Sequence, residues 1–280
     1  MRVAKSGLLA ATALMAMAIS ASAANMIDKC EVVGQKGSIK IDKPAKAGQL
    51  TIESNLPAPV WYNGDTTETI KDGMEYCMAA EIAWRAGLDK VVLVPVDWDA
   101  LIAGQTHDFD MALSEISITD ERKKVHDFST PYFNSDIGVL TLTTKPVDGT
   151  SLKKAKVGVQ QATTGADFVT GKLGIADAQV YPDAGSMFAA LAAGQIDAAI
   201  TDTSIVLAQE ADAKGKFKVV GQYQTGETYG AIYPKANPNN ASLDKIMAAM
   251  IADGTMAKLS AKYLAAAWGK DPASIPYFKP

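Results

Sequence analysis

Two acids in this chain occupy matching places in two similar segments. Residues 101–115 and 191–202 each read as a helix end, a Gly-Gln turn, an aspartate, a short apolar strand and then an acid. Carboxylates repeated in this way are candidates for ligand binding. The competing interpretation is chance, because acids often follow strands. In both segments the final acid comes five residues after the aspartate: Asp110 then Glu115, and Asp197 then Asp202.

The elements that must position these acids predict an α/β fold. Gly104 and Gly194 stand where the C-terminus of a helix favours a residue with positive φ. The strands at 111–113 and 198–200 are short and apolar, so they should be buried. Each acid then lies just past the C-terminal end of a strand, where open α/β sheets bind ligands. Strand and helix patterns alternate along the chain, which predicts mostly parallel sheets.

An arginine follows the first of these acids on a predicted helix. Thr119 supplies a hydroxyl cap for the helix start, and acids fill the first turn. Arg122 lies in that turn, where its guanidinium can reach across the strand ends and hold a carboxylate through two hydrogen bonds. For a single arginine, a solvated surface ion pair is the competing interpretation.

The N-terminus has the pattern of a secretory signal peptide. Arg2 and Lys5 precede an apolar run at 7–19 that is too short to span a membrane, and Ala-Ser-Ala at 21–23 fits a cleavage site. We expect residues 1–23 to be removed and the mature chain to be soluble. The formal net charge of −4 becomes more negative without the leader, so nothing favours nucleic acid or anionic membrane as a partner.

The two cysteines, Cys30 and Cys77, both lie in the part of the chain that would be exported. An oxidising compartment and an even count favour a disulfide, which would tie an N-terminal extension at 24–49 to the first long helix. Two buried free thiols are the alternative. Neither cysteine has metal-ligand spacing, and we expect no metal and no cofactor. His107 and His126 lie in polar contexts that predict solvent exposure.

The most specific pattern lies at 117–132. Ser117, Thr119 and Arg122 form a Ser-x-Thr-x-x-Arg motif, and Phe-Ser-Thr-Pro-Tyr follows at 128–132. In these residues the chain resembles the family 3 extracellular solute-binding proteins of polar amino-acid ABC transporters. The resemblance covers most of 50–270 and includes further short matches at 98–104, 157–165, 196–199 and 252–255.

The resemblance implies a type II periplasmic-binding-protein fold, in which two lobes close like a hinge over a ligand. Each lobe would be a mostly parallel sheet flanked by helices. A Pro/Gly cluster at 145–149 is the best candidate for a boundary. We therefore predict one lobe from 50–144 together with 228–280, and a second lobe from 145–227.

The resemblance also implies how the ligand's α-carboxylate is held. Arg122 would clamp it, with help from Ser117 and from the backbone at Thr163 and Thr164, where a helix begins and its free N–H groups favour anions. Thr119 belongs to the same motif and is a further candidate ligand-binding residue.

The α-ammonium and the side chain of the ligand would meet other residues. Asp202 matches the acid that takes the ammonium in the family. An aromatic side chain from the first loop would cover the ligand, and Trp61 or Tyr62 is the best match. An ordinary half-buried anchor of that loop is the alternative for Trp61.

Three departures from the family pattern concern ligand choice. Glu115 replaces the usual Gly or Ser, and a second carboxylate in the cleft would be costly unless the ligand brings cations. A dibasic amino acid or an amino-acid conjugate would do so, unless Glu115 points away and caps a turn. Ala162 replaces a glycine, which restricts its loop. The aromatic loop at 55–61 matches poorly, so the side-chain pocket cannot be transferred.

These observations predict a monomeric periplasmic receptor that delivers a polar, cationic amino acid or derivative to an ABC permease, with no enzymatic activity. One alternative is an exported enzyme like the cyclohexadienyl dehydratases, with Glu115 or Glu227 as a general acid. Another is a receptor that reports its ligand to a sensor partner. Turnover of prephenate or arogenate would identify the enzyme.

Overall fold

A computed structural model describes residues 24–280. The predicted signal peptide lies outside the described residues. The strands are β1 Asn25–Ile27, β2 Cys30–Val32, β3 Leu50–Ser54, β4 Val91–Pro95, β5 Met111–Ala112, β6 Asp127–Phe128, β7 Phe133–Leu142, β8 Val157–Gln160, β9 Gln179–Tyr181, β10 Ala198–Asp202, β11 Phe217–Tyr229 and β12 Ile232–Tyr233.

The α-helices are α1 Met74–Arg85, α2 Trp98–Ile102, α3 Asp120–Val125, α4 Thr164–Asp167, α5 Ala184–Ala192, α6 Thr203–Asp212, α7 Asn240–Ala252, α8 Thr255–Ser260 and α9 Ala266–Trp268. Short 3₁₀ turns lie at Leu152–Lys154 and Pro272–Ser274, and π-helical turns at Phe168–Lys172 and Ala261–Ala265. None of the helices in residues 24–280 has the length and apolarity needed to cross a membrane.

The molecule has two lobes, each built on a five-stranded sheet flanked by helices, as predicted. Lobe 1 carries the order β4-β3-β5-β12-β6, in which β3 pairs in parallel with β4 and β5. Lobe 2 carries the order β11-β7-β10-β8-β9, in which β8 pairs in parallel with β10 and β9. Antiparallel strands complete both sheets, so the sheets are mixed.

The crossings between the lobes differ from the predicted boundaries. β7 pairs with β10 and β11 and therefore belongs to the second sheet, although the boundary at 145 put it in lobe 1. The Pro/Gly cluster at 145–149 is a turn within lobe 2, and such turn signals do not distinguish a loop from a linker. The C-terminus also returns to lobe 2, because Phe278 N–H donates to the Gln222 carbonyl of β11 at 2.8 Å.

The N-terminal extension forms one short hairpin, β1–β2, that is covalently tied to lobe 1. Cys30 of β2 and Cys77 of α1 form a disulfide, which decides between the two alternatives left by the sequence. Of the histidines, His107 is exposed as predicted, whereas His126 is buried and its Nε2 lies 3.0 Å from the Ile102 carbonyl oxygen. The prediction of an exposed His126 was wrong, because it followed from polar sequence neighbours alone.

The two matching segments have the same structure in the two lobes. Gly104 and Gly194 end α2 and α5 with φ of +71° and +70°. Asp110 then accepts the backbone N–H of Thr51 at 2.7 Å, and Asp197 accepts that of Lys156 at 2.9 Å. Each aspartate thus fixes the beginning of the parallel strand beside its own. This places the following acids at the ends of β5 and β10.

Candidate functional site

A cavity of about 600 Å³ lies between the lobes, within the range of about 300–1,000 Å³ typical of small-molecule sites. It opens along α5 and α6, where Gly185, Ala189 and Ala192 face Ile205 and Ala208 across a groove. Eight of the nine predicted ligand-binding residues line it: Trp61, Tyr62, Glu115, Ser117, Arg122, Thr163, Thr164 and Asp202.

Thr119 is the ninth residue, and it does not line the cavity. It is the N-cap of α3, and its Oγ1 accepts the backbone N–H of Arg122 at 3.2 Å. This satisfies one of the unpaired donors of the first helical turn. Thr119 therefore positions Arg122, as the capping pattern predicted, and its hydroxyl is already engaged.

Arg122 is buried at the junction of the lobes. Its Nη1 donates to the Ser117 carbonyl at 2.7 Å, and its Nη2 donates to the Ala162 carbonyl of lobe 2 at 3.1 Å. The guanidinium carbon lies 5.3 Å from the Trp98 ring centroid. Burial lowers the pKa of this guanidinium, although nearby carboxylates, first Asp202, oppose that effect. Arginine remains charged under such conditions, so Arg122 is a fixed cation of the cavity.

Ala162 occupies the loop that carries this inter-lobe contact. Its φ is +55°, in the left-handed region where glycine is favoured. The replacement of glycine noted in the sequence therefore falls on a position that needs positive φ. The Ala162 carbonyl also accepts the Trp98 indole N–H at 3.2 Å, so both lobe 1 donors converge on one oxygen of lobe 2.

Asp202 ends β10 and is buried in a network of hydroxyls. Its Oδ2 accepts the Tyr229 hydroxyl at 2.7 Å and lies 3.4 Å from Ser117 Oγ. The hydroxyls of Ser204 and Tyr229 are 2.7 Å apart. Burial, followed by the charge of Glu227, raises the pKa of Asp202 to about 7.

Glu227 lies on β11 beside the crossing between the lobes. One of its oxygens, Oε2, accepts the Ser117 hydroxyl of lobe 1 at 2.6 Å and the Thr164 hydroxyl of lobe 2 at 2.7 Å. The carboxylate therefore holds one residue from each lobe. It is absent from the cavity lining in the described part of the chain, so it lies behind these two residues.

Glu115 follows β5 and is among the residues that line the cavity. Its φ is +48°, an unusual value for a non-glycine residue. Its backbone N–H donates to Glu75 Oε1 at 2.9 Å, while its own Oε1 is buried without a hydrogen-bond partner among residues 24–280. Burial, then the charges of Glu75 and Asp202, raise the pKa of Glu115 well above its usual value.

The threonines form the lobe 2 side of the cavity. Thr163 is the N-cap of α4: its Oγ1 accepts the Ala166 N–H at 3.1 Å and donates to the Gln160 carbonyl at 2.7 Å. Thr164 is the first residue of that helix, and its hydroxyl donates to Glu227. The backbone at this turn faces the cavity from lobe 2, opposite Arg122 in lobe 1.

The two aromatic candidates are buried anchors that also form part of the cavity wall. Trp61 packs edge-on against Phe133 and Tyr229, with ring centroids 5.3 and 5.9 Å apart. The Tyr62 hydroxyl donates to the Leu113 carbonyl at 2.8 Å. The anchoring role considered for Trp61 is therefore present, and it coincides with a place in the lining.

Sequence reasoning missed Glu75 and Tyr229, which support the cavity from behind. Glu75 lies fully buried in α1, between residues that are themselves buried on nearly every face of the helix. An acid inside such an apolar run was the signal that could have identified it. Tyr229 offered no such signal, because its contact with Asp202 depends on how β11 crosses between the lobes.

The charge balance of the site is strongly acidic. Glu75, Glu115 and Asp202 are buried, and none of them forms an ion pair with a cation inside the described range 24–280. Arg122 is a cation that lines the same cavity as Glu115 and Asp202. No cluster of three or more His, Cys, Asp or Glu side chains suited to a metal occurs in the part of the chain that the structure describes.

Residues 52–266 match the family described as bacterial extracellular solute-binding proteins, family 3. The match spans both sheets and all the cavity residues named above. The chain belongs to this family. This family consists of extracellular solute-binding proteins, in agreement with the resemblance carried by the motif at 117–132.

Individual relatives of this solute-binding protein are amino-acid-binding proteins. The L-cystine-binding protein TcyJ of Escherichia coli K12 is 29% identical over 235 residues, which are 81% of this chain and 86% of that protein. The structure of an ancestral arginine-binding protein bound to arginine superposes with a TM-score of 0.68 at 30% identity, covering 77% of this chain and 98% of that one.

One relative is an enzyme. The cyclohexadienyl dehydratase of Pseudomonas aeruginosa is 30% identical over 136 residues, which are 46% of this chain and 50% of the enzyme. The family and the longer matches are binding proteins. The dehydratase match covers less than half of this chain.

Proposed function

We propose that this protein is a monomeric periplasmic receptor. It captures an α-amino acid that carries an additional positive charge and delivers this ligand to an ABC permease. The observation that carries the proposal is the placement of two unpaired buried acids, Glu115 and Asp202, in one cavity with Arg122. A ligand with one carboxylate and two cationic groups would neutralise this set.

The carboxylate of the ligand would bind Arg122. Two of the five guanidinium N–H groups donate to the Ser117 and Ala162 carbonyls, which leaves three donors within the described structure. The N-terminal turn of α4 at Thr163 and Thr164 adds donors from the opposite lobe. Because these groups come from both lobes, a bound carboxylate would favour the closed arrangement.

The α-ammonium would bind Asp202, which the Tyr229 and Ser117 hydroxyls already orient. An ammonium beside this carboxylate would compensate for the burial that raises its pKa to about 7. The second cationic group of the ligand would approach Glu115. The cavity continues along α5 and α6, which leaves room for a long side chain or a conjugated group.

One structural neighbour supports this ligand class, because it is bound to arginine, a dibasic ligand. TcyJ is named for cystine, whose two ammonium groups are balanced by two carboxylates, so it supports an amino-acid ligand but not an additional positive charge. The receptor reading also fits the motif at 117–132 and the predicted signal peptide.

The second candidate is a dehydratase, favoured by the raised pKa of buried Glu115 and by the partial match to an enzyme. A carboxyl group that stays protonated at neutral pH is suited to general acid catalysis. The acids of the cavity argue against a dicarboxylate such as prephenate, because its two carboxylates would lie beside Glu115 and Asp202 as well as the Arg122 guanidinium.

A thermal-shift screen of the mature chain tests the proposal. The ligands are arginine, lysine, ornithine, glutamine, cystine and prephenate. A ligand at a hundred times its dissociation constant stabilises the folded state by about 2.7 kcal/mol. We expect the largest shifts with dibasic ligands. Shifts with neutral amino acids alone would reject the charged-ligand class. Consumption of prephenate, measured through the absorbance of the product, would reject the receptor hypothesis in favour of the enzyme.

A further inference from the structure

Glu75 and Glu115 form a pair of buried acids at the inner end of the cavity. Glu75 Oε1 accepts two hydrogen bonds, from the Glu115 backbone N–H at 2.9 Å and from the Tyr132 hydroxyl. The other Glu75 oxygen, Oε2, and Glu115 Oε1 are both buried and have no hydrogen-bond partner anywhere in residues 24–280. Two unpartnered carboxyl oxygens thus remain beside a ligand-sized cavity.

The groups that surround this pair are neutral or acidic. Tyr62 and Tyr132 approach Glu75 from the first loop and from the crossing before β7, and Asp202 faces Glu115 from β10. The contrast with Glu81 on the same helix is informative, because Glu81 pairs with Arg85 at 2.6 Å. No ion pair of this kind reaches Glu75 or Glu115 within the described residues.

A buried carboxyl group without a cation is favoured in its neutral form, because ionisation in a poorly solvated site is costly. Burial raises the pKa of Glu75 to about 7 and that of Glu115 well above its usual value. The tyrosine hydroxyls cannot supply a compensating charge, because a phenol is either neutral or anionic. Burial and Glu75 raise the pKa values of Tyr62 and Tyr132, so both remain neutral.

We propose that Glu75 and Glu115 are specificity-determining residues that exchange a proton for a cation: the empty pair retains a proton, and the second cationic group of the ligand displaces it. This inference rests on the proposed function and deepens it. The ammonium or guanidinium keeps its own protons and binds the carboxylate, while the carboxyl proton passes to solvent. Arginine binding therefore releases at least one proton more than the binding of a neutral amino acid.

Glu75 has a positioning role in this exchange. Its bond to the Glu115 N–H supports the left-handed conformation of Glu115, which is unfavourable for a non-glycine residue. Glu75→Gln keeps an amide oxygen that can accept the same bonds, but removes the ionisable group. This variant separates the geometry of the turn from its charge.

Isothermal titration calorimetry tests the exchange by counting protons. Arginine is titrated at pH 7 into the mature protein in two buffers of low and high ionisation enthalpy, such as phosphate and Tris. Glutamine serves as the neutral ligand and reports any proton released by Asp202 alone. We expect arginine to release at least one proton more than glutamine, so between about pH 5.5 and 7.5 its affinity should rise with pH at least about tenfold more per pH unit than the affinity for glutamine.

The variants make the assignment specific. Glu115→Gln and Glu75→Gln should each lower the arginine proton count, flatten its pH dependence and reduce the difference between the arginine and glutamine counts. Equal proton counts for arginine and glutamine in the unmodified protein would overturn this inference and leave the receptor proposal standing. Failure of arginine, lysine and ornithine to bind at any pH would overturn both.

A direct release measurement covers variants that bind too weakly for calorimetry. Saturating arginine is added to concentrated protein in weakly buffered solution with a pH-indicator dye. Smaller acidification by Glu115→Gln than by the unmodified protein is the expected result, because Asp202 can still release a proton in the variant. The same acidification in both proteins would assign the proton elsewhere and reject the pair.

Discussion

Arg122 of lobe 1 donates a hydrogen bond to the backbone carbonyl of Ala162 in lobe 2, at 3.1 Å. The guanidinium is thereby a contact between the lobes as well as the cation of the cavity. Its orientation is fixed from within lobe 1 by the Thr119 cap and by the Ser117 carbonyl. Under the proposed function, ligand binding and lobe closure would therefore depend on the same side chain.

Arg122→Ala is expected to abolish amino-acid binding. Removal of one partner of a buried, hydrogen-bonded charge pair costs about 2–5 kcal/mol, because the ligand carboxylate is left uncompensated. Calorimetry with arginine and glutamine should show the loss for both ligands, since both carry the α-carboxylate. Lys124→Ala, an exposed cation on the same helix, is the matched control and should bind normally. Micromolar binding by Arg122→Ala would reject the clamp.

Glu115→Gln is expected to weaken the binding of a cationic ligand more than the binding of a neutral one. A hydrogen bond to a charged group contributes about 1.5–3 kcal/mol, so arginine should lose roughly ten- to a hundredfold in affinity. Glutamine should change by less than about tenfold. Glu121→Gln removes an exposed acid on α3 and controls for net charge. An equal loss for both ligands would remove Glu115 from specificity.

The ligand-free protein should lose stability as the pH rises from about 5 to 7.5. The pKa values of Glu75 and Asp202 are raised to about 7, so the folded state keeps protons that the unfolded chain has already released. The unfolding free energy then falls with pH, and the fall ends once these acids ionise in the folded state. Thermal melts in a pH series measure this trend.

His126 acts in the opposite sense, because burial lowers its pKa and so favours the folded state as pH rises. The informative quantity is therefore the difference between the unmodified protein and Glu75→Gln, in which the His126 contribution cancels. The difference in unfolding free energy between these two proteins should become steadily smaller as the pH falls below about 7. A pH-independent difference would mean that Glu75 is ionised throughout.

Ala162→Gly should stabilise the protein while preserving ligand binding. The residue has φ of +55°, and a glycine there relieves strain of roughly 1–2 kcal/mol, partly offset by glycine's larger entropy loss of about 0.5–1 kcal/mol. Ala155→Gly is the control, because Ala155 has φ of −82° and gains nothing from glycine. A lower melting temperature for Ala162→Gly would show that the left-handed alanine is not strained.

The matching segments explain why the elements beneath the cavity could be predicted from sequence. Gly104 and Gly194 mark helix ends through local backbone preference, and the apolar runs after Asp110 and Asp197 can only be buried strands. These are local signals, readable without knowledge of the fold. They place Glu115 and Asp202 at strand ends in both lobes.

The features that the sequence did not reveal depend on distant pairing. β7 has the same alternating pattern whichever sheet it joins, so only its register with β10 assigns it to lobe 2. Glu75 reaches Glu115 across 40 positions of sequence, and Tyr229 reaches Asp202 across 27. Such contacts arise from packing of whole elements, and no spacing rule along the chain encodes them.

Reduction of the Cys30–Cys77 disulfide should destabilise the protein with little effect on ligand affinity. The bond closes a loop with a sequence separation of 47, for which the chain-entropy relation gives roughly 4 kcal/mol of stabilisation. Cys77 lies on α1 but does not line the cavity, so the site should keep its geometry while the protein remains folded. Denaturant melts with and without reductant measure the difference in unfolding free energy.

The double variant Cys30→Ser, Cys77→Ser is the control, since its stability should match that of the reduced protein and be insensitive to reductant. If reductant lowers the midpoint of that variant equally, the effect does not come from this bond.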